Sequence, residues 1–227
     1  TGLTDGPYYF VVSVNGSSRS GSVNFGQRAF AYQNAGTNRP SADYKSLNTA
    51  NLPEPTILDG SKYFDAKLYQ STAANLAVTG LQFSPDFVWV KNRQTANHHG
   101  LFDIVRGPNK FIASNRTNAE KTTSGSGYGT GTFNSFDTNG FTLGDDVGSN
   151  VSNYPSGQPH VAWAWDAGSS TVSNTDGTIT SQVRANPTAG FSIVSYTGSG
   201  TANDSVGHGL NAAPKLIIIK NRDNGTY

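Results

Sequence analysis

Apolar residues in this chain come in short runs or alternate with polar ones, and glycine, proline or asparagine closes most runs. That is the period of strands, not of helices. Tyr8–Val14 is an apolar run closed by Asn15-Gly16, a hairpin turn signal. After Pro85, Phe87, Trp89 and Lys91 share one face of a strand and Val88 and Val90 the other. Both faces are largely apolar, which predicts a central strand covered on both sides, with Val88, Trp89 and Val90 mostly buried. Val161–Asp166 sets Val161, Trp163 and Trp165 against Ala162 and Ala164. The alanines permit a second sheet to approach closely. The tryptophans read as core in preference to a sugar-stacking platform. Thr178–Val183 and Phe191–Tyr196 are further strands, and Phe133, Phe136 and Phe141 surround a turn at Asn139-Gly140. About a dozen strands and no helix result, so the expected fold is all-β, an antiparallel β-sandwich of jelly-roll type.

The stretch FSPDFVWVKNR returns as NAAPKLIIIKNR. Phe64 and Tyr69 match Phe191 and Tyr196 at an offset of 127 residues; Gly80-Leu81, Pro85 and Lys91-Asn92-Arg93 match Gly209-Leu210, Pro214 and Lys220-Asn221-Arg222 at 129. Ordered matches of this kind are an internal repeat. In the second copy Leu216, Ile218 and Lys220 take one face and Ile217 and Ile219 the other, so Ile217–Ile219 are expected buried in a strand equivalent to the first. Lys-Asn-Arg reads as a solvated strand end and turn in preference to a ligand site. The second copy reaches only its Lys-Asn-Arg. Strands equivalent to Leu101–Ala167 are therefore expected after Tyr227 in the natural polypeptide, of which this sequence, without any methionine, is expected to be a segment.

Composition narrows the function classes. Lys and Arg number 16 and Asp and Glu 15, a net charge of +1 with no basic block, which gives nucleic-acid binding no electrostatic support. The absence of cysteine excludes disulfides and thiolate metal sites, so stability has to come from packing or assembly. No apolar run approaches the roughly 18 residues of a membrane span. Residues 33–59 hold three prolines and few apolar residues, as a linker or an arm lying on a neighbour would. The expected divisions are a first sandwich fragment at 1–32, the arm at 33–60, a sandwich module at 61–168, a connector at 169–189 and the start of a second module at 190–227.

Candidate chemistry is sparse. A glycosidase needs two placed carboxylates. Asp145-Asp146 point to opposite faces if on a strand, and Asp103, Asp137 and Asp166 stand apart beside turns or strand ends. The stretch GDDVGSN, Gly144 to Asn150, has oxygen ligands for calcium but not the spacing of a calcium loop, and a solvated turn is the preferred reading. His98-His99 lie in a polar loop without identifiable metal partners, His208 reads as a loop histidine bonded to backbone, and His160 as a strand-edge residue. The glycine-rich SGSGYGTGT lacks a nucleotide fingerprint. No catalytic, metal or cofactor-binding residue is assigned, and no cofactor is expected.

Longer stretches carry a resemblance. Asp5–Tyr32, above all NFGQRAFAY, resembles the closing strands of a SPRY-type, concanavalin-like sandwich. ADYKSLNTANLPEPTI resembles the connector that follows SPRY domains in virion proteins of tailed phages, especially those of marine cyanobacteria. GLQFSPDFVWVKNR, FDIVRG, FNSFDTNGFTLG and VAWAWDAG resemble the repeated lectin-like module after that connector. The resemblance implies tandem sandwiches in a virion surface protein, with other virion proteins as partners and no catalytic residues to carry over. On this basis the expected function is a tail fibre or surface appendage that attaches to host glycans multivalently. A capsid decoration or scaffold protein without ligand binding is the alternative, and a glycan depolymerase the more distant one. A homo-oligomer is expected, a trimer if the protein is a fibre, without nucleic acid and without membrane insertion.

Overall fold

The structure is a computed structural model that describes residues 55–123 and 130–223. The chain divides into two compact units, Thr1–Pro55 and Thr56–Tyr227, and every described residue except Pro55 belongs to the second. The strand expected at Tyr8–Val14 and the SPRY-like segment lie outside the described residues.

The described residues form twelve strands, β1–β12 in chain order, and a 3₁₀ turn at Gly60–Lys62. One sheet has six strands in the order β1 (Phe64–Gln70), β9 (Pro159–Trp165), β3 (Phe87–Asn92), β4 (Gly100–Asp103), β5 (Lys110–Ala113) and β6 (Lys121–Thr122). A second orders β2 (Leu76–Thr79), β8 (Gly140–Leu143) and β7 (Ser135–Asp137), and a third β10 (Thr171–Asn174), β11 (Ser181–Asn186) and β12 (Phe191–Tyr196). Every ladder between these strands is antiparallel. The protein is all-β and sandwich-like: one apolar cluster joins the inner face of the six-stranded sheet to the sheet of β2, β8 and β7.

Alternation along β9 decides which face is inner. Ala162 and Ala164 are fully buried, and the ladder sets them opposite Val90 and Val88. These small side chains leave room for phenylalanines from across the sandwich. Phe102 of β4 stacks on Phe133 at 4.7 Å between ring centroids, and Phe133 stacks on Phe141 of β8 at 5.4 Å. Phe136 meets Phe133 at 4.6 Å, and Phe111 meets Phe102 at 6.0 Å. Offset and tilted rings at such separations add attraction beyond the area they bury. The β7–β8 hairpin expected around Asn139-Gly140 is present. Gly140 can only be glycine, because a Cβ there would lie 2.0 Å from the Val78 carbonyl oxygen of β2.

Two expectations are corrected. Trp163 and Trp165 are not core: they stand half-buried on the opposite face of β9, and Trp89 shares that face in β3. The core needed the small side chains of these strands, so the large ones face outward. Ile217, Ile218 and Ile219 are 65%, 70% and 73% exposed and belong to no strand among the described residues. In the first copy β3 lies between β4 and β9, whereas Leu216–Ile219 has no such neighbours among the described residues and so forms no ladder.

Phe102→Ala and Phe133→Ala should each lower the unfolding free energy by about 3–5 kcal/mol, the cost of emptying a packed aromatic site. Trp89→Ala should cost less than either in the same denaturant titration. Equal losses for all three would put the core on both faces of the sheet.

Candidate functional site

The half-exposed outer face of β1, β9 and β3 is the principal surface feature. Pairing sets Phe64, Trp165 and Phe87 in one row across these strands, Ala66, Trp163 and Trp89 in the next, and Leu68, Val161 and Lys91 in a third. Phe64 touches Trp165 at 4.9 Å and Phe87 touches it at 5.3 Å, while Trp89 and Trp163 meet edge to face at 6.0 Å. At the β1 end Phe64 and Leu68 are 43% and 66% exposed. At the other end Phe191 of β12 stacks on Trp165 at 5.8 Å and closes part of the face. The buried Nε1–H of Trp89 has no acceptor among the described residues. Such a face can stack flat apolar rings or pack against another sheet.

The Lys-Asn-Arg motif builds the same turn twice. Lys91 Nζ donates to the Asn92 and Thr95 carbonyls at 2.6 and 3.1 Å, and Asn92 Oδ1 accepts from the Gln94 and Thr95 amides at 2.8 and 2.9 Å. In the second copy Lys220 Nζ donates to the Asn221 carbonyl at 3.3 Å, and Asn221 Oδ1 accepts from the Asp223 amide at 2.9 Å. In the first copy the turn is not merely solvated, since Asn92 is fully buried, whereas Asn221 in the second is exposed.

The second copy's motif also ties itself to residues 117–120. Lys220 Nζ donates to the Thr117 and Asn118 carbonyls at 3.2 and 3.0 Å. Arg222 grips Glu120 through two nitrogens at 2.9 and 3.0 Å and donates to Ser195 Oγ at 2.9 Å. Glu120 also receives Arg106, whose Nε meets Asp103 at 2.5 Å and whose Nη2 donates to the Leu101 carbonyl at 2.8 Å. Burial pushes the Glu120 carboxyl up, but hydrogen bonds from Arg222 and Arg106 outweigh it and hold the group below its ordinary value. Asp86 makes a second tie: its Oδ2 accepts from the Ala167 amide at 2.8 Å, and its Oδ1 stands 2.8 Å from Arg184 Nε of β11. Burial outweighs the lowering effects of Arg184 and the Ala167 amide, and the Asp86 carboxyl is raised.

The stretch GDDVGSN is solvated at Val147, Gly148 and Asn150 but turns Asp146 inward. Asp146 is fully buried, and its Oδ2 accepts from the Val151, Ser152 and Asn153 amides at 2.6, 2.7 and 3.0 Å. Asn153, also buried, donates to the Ala74 and Gly144 carbonyls and accepts from the Thr72 amide. Burial raises the Asp146 carboxyl against the lowering effect of the amides that bond it.

A family model for a domain of unknown function, DUF7483, matches residues 59–227. The chain belongs to the DUF7483 family. No curated protein and no solved structure matches it.

Within the DUF7483 domain the remaining candidate residues stay apart. Asp137 accepts from Ser135 and Thr142, Asp166 from Gly168 and Asn186, and Asp145 from Thr130, so no two of them share a donor. His98 faces Asn115 at 3.2 Å, and no group of three metal-ligating side chains occurs among the described residues. His208 Nδ1 accepts from the Leu210 amide at 3.0 Å. His160 is not a strand-edge residue: it is fully buried, stacks on Tyr69 at 5.2 Å and places Nδ1 3.0 Å from the Gln158 carbonyl. Burial holds its imidazole below the ordinary histidine range. The anchoring roles of Arg106 and Glu120 had no sequence signal beyond the FDIVRG segment, because Glu120 comes from a separate loop.

Asp146→Ala strips three buried amides of their acceptor and should cost at least about 2 kcal/mol at neutral pH by denaturant titration. Asp146→Asn keeps an acceptor and should cost less. A raised folded-state carboxyl contributes stability that is present below the ordinary aspartate range and lost as pH rises through the raised value. The Asn variant should therefore gain on the wild type across that rise, and a parallel pH profile would contradict the assignment.

Proposed function

We propose that this DUF7483 protein is a modular structural component of a tailed-phage virion, a tail fibre or surface appendage that contributes to host attachment through multivalent glycan contacts. The observation that carries the reading is the repeated Lys-Asn-Arg turn and its tie to the preceding module through Lys220, Arg222 and Glu120. A repeat unit with a built-in contact to its neighbour suits tandem jelly-roll sandwiches along a rod. Identical sites at fixed spacing turn weak binding into avidity. The outer face of β1, β9 and β3 supplies aromatic rings of the kind that stack on sugars. Localisation on the virion surface, contacts with other virion proteins and a homo-oligomeric state, a trimer for a fibre, complete the reading, in which the protein is not an enzyme. A second reading, capsid decoration or scaffold without ligand binding, is favoured by one contact: Phe191 lies over Trp165 and Phe87, so part of the aromatic face already serves packing.

A glycan array and whole-cell binding to cyanobacterial hosts separate the two. Attachment predicts binding that falls at least ten-fold in Trp163→Ala, with near-UV circular dichroism showing the variant folded. No binding to any glycan or cell would leave the scaffold reading in its place.

A further inference from the structure

We propose that β1 is an assembly edge, which pairs antiparallel with β1 of a second copy of this chain in the register that sets Ala66 opposite Ala66. Within the described residues β1 is laddered on one side only, to β9. The Ala66 amide donates to Asp65 Oδ1 at 2.7 Å, so it is turned away from β9 towards the open edge. Alternate residues along this edge are exposed, and two of them, Phe64 and Leu68, are large and apolar.

The repeat indicates that this position takes a second strand. β12 stands where β1 stands, with Phe191 and Tyr196 matching Phe64 and Tyr69, and its antiparallel partner β11 comes before it in the chain. The partner of β1, β9, comes after it. A strand in the place of β11 would fall just before Gly60, where residues 55–59 form none and Pro53 and Pro55 cannot donate to a ladder. The neighbour therefore comes from elsewhere.

Charge selects the second copy and the register. Two copies related by a twofold axis normal to the sheet pair residues of like parity, so the axis passes through one residue. Through Asp65 or through Lys67 it would set like charges directly opposite, which destabilises a pair. Through Ala66 it sets Asp65 against Lys67 of the partner twice over on one face, and Phe64 against the partner's Leu68 twice over on the other. In the single chain Asp65 and Lys67 contact each other at 2.8 Å, as residues two apart on one face of a strand can. This contact is isologous and self-complementary. It joins the exposed ends of two outer aromatic faces. It does not depend on the virion or glycan assignments, and its failure would leave the glycan-binding result unaffected.

Light scattering on the full chain at micromolar concentration should report twice 24.0 kDa. Asp65→Lys and Lys67→Asp should each weaken the dimer at least ten-fold, and an equimolar mixture of the two variants should restore it, because one copy then offers two lysines to the other's two aspartates. A loss due to misfolding, or to the intrachain contact alone, would not recover on mixing. Ala66→Cys introduces the only cysteine, and under mild oxidation it should give a disulfide-linked dimer on a non-reducing gel. A monomeric wild type would overturn the proposal. So would a trimer, a dimer indifferent to both charge variants, or a mixture no better than its components.

Discussion

The second unit depends on a stack of phenylalanine rings that crosses the sandwich. Phe133 touches Phe102 from the six-stranded sheet and Phe136 and Phe141 from the three-stranded one, so a single side chain joins both layers. The stack fits because β9, inside the larger sheet, presents the small side chains of Ala162 and Ala164 inward. Side chains that alternate with period two cannot be small on one face without leaving the rest of the strand's residues for the other. The outward position of Trp163 and Trp165 is therefore the other half of the same constraint.

Loops are held by buried polar groups. Asp146 and Asn153 close the segment 144–153 on itself and onto residues 72–74. Asp103 and Arg106 fix the turn after β4 and present Arg106 to Glu120. In each case a buried charge or amide is matched by several donors or acceptors, as burial requires. Carboxylates committed in this way serve the architecture.

The ties between the two copies have a similar logic. Lys220 and Arg222 end a segment whose apolar residues Leu216–Ile219 remain exposed, yet the segment is anchored at its charged end to residues 117–120. Bidentate pairing of a guanidinium with a carboxylate fixes direction as well as distance. Such a joint has a set orientation.

How much of this was legible in the sequence can be judged residue by residue. Alternation and turn residues sufficed for the all-β class, for β3, β9 and β12, and for the β7–β8 hairpin, because these features depend on neighbours in the chain. The same alternation showed that the alanines and the tryptophans of β9 occupy opposite faces, but not which face is inner. That was decided by Phe102, Phe133 and Phe141, which come from three distant segments and needed the room over the alanines. Local spacing suggested a solvated turn at Asp146, and His160 read as an edge residue. Amides from 151–153 and the ring of Tyr69 made both buried groups. The isoleucines show the limit most plainly. Their pattern matches that of Val88–Val90, yet burial is a property of what lies on either side of a strand, and Leu216–Ile219 has no β4 or β9 beside it among the described residues. The sequence by itself determined periodicity, turn chemistry and the repeat, since each is written in adjacent residues. Which face is core, which carboxylates are buried and which strands find partners were decided only by the tertiary structure, because each depends on groups brought together from far apart in the chain.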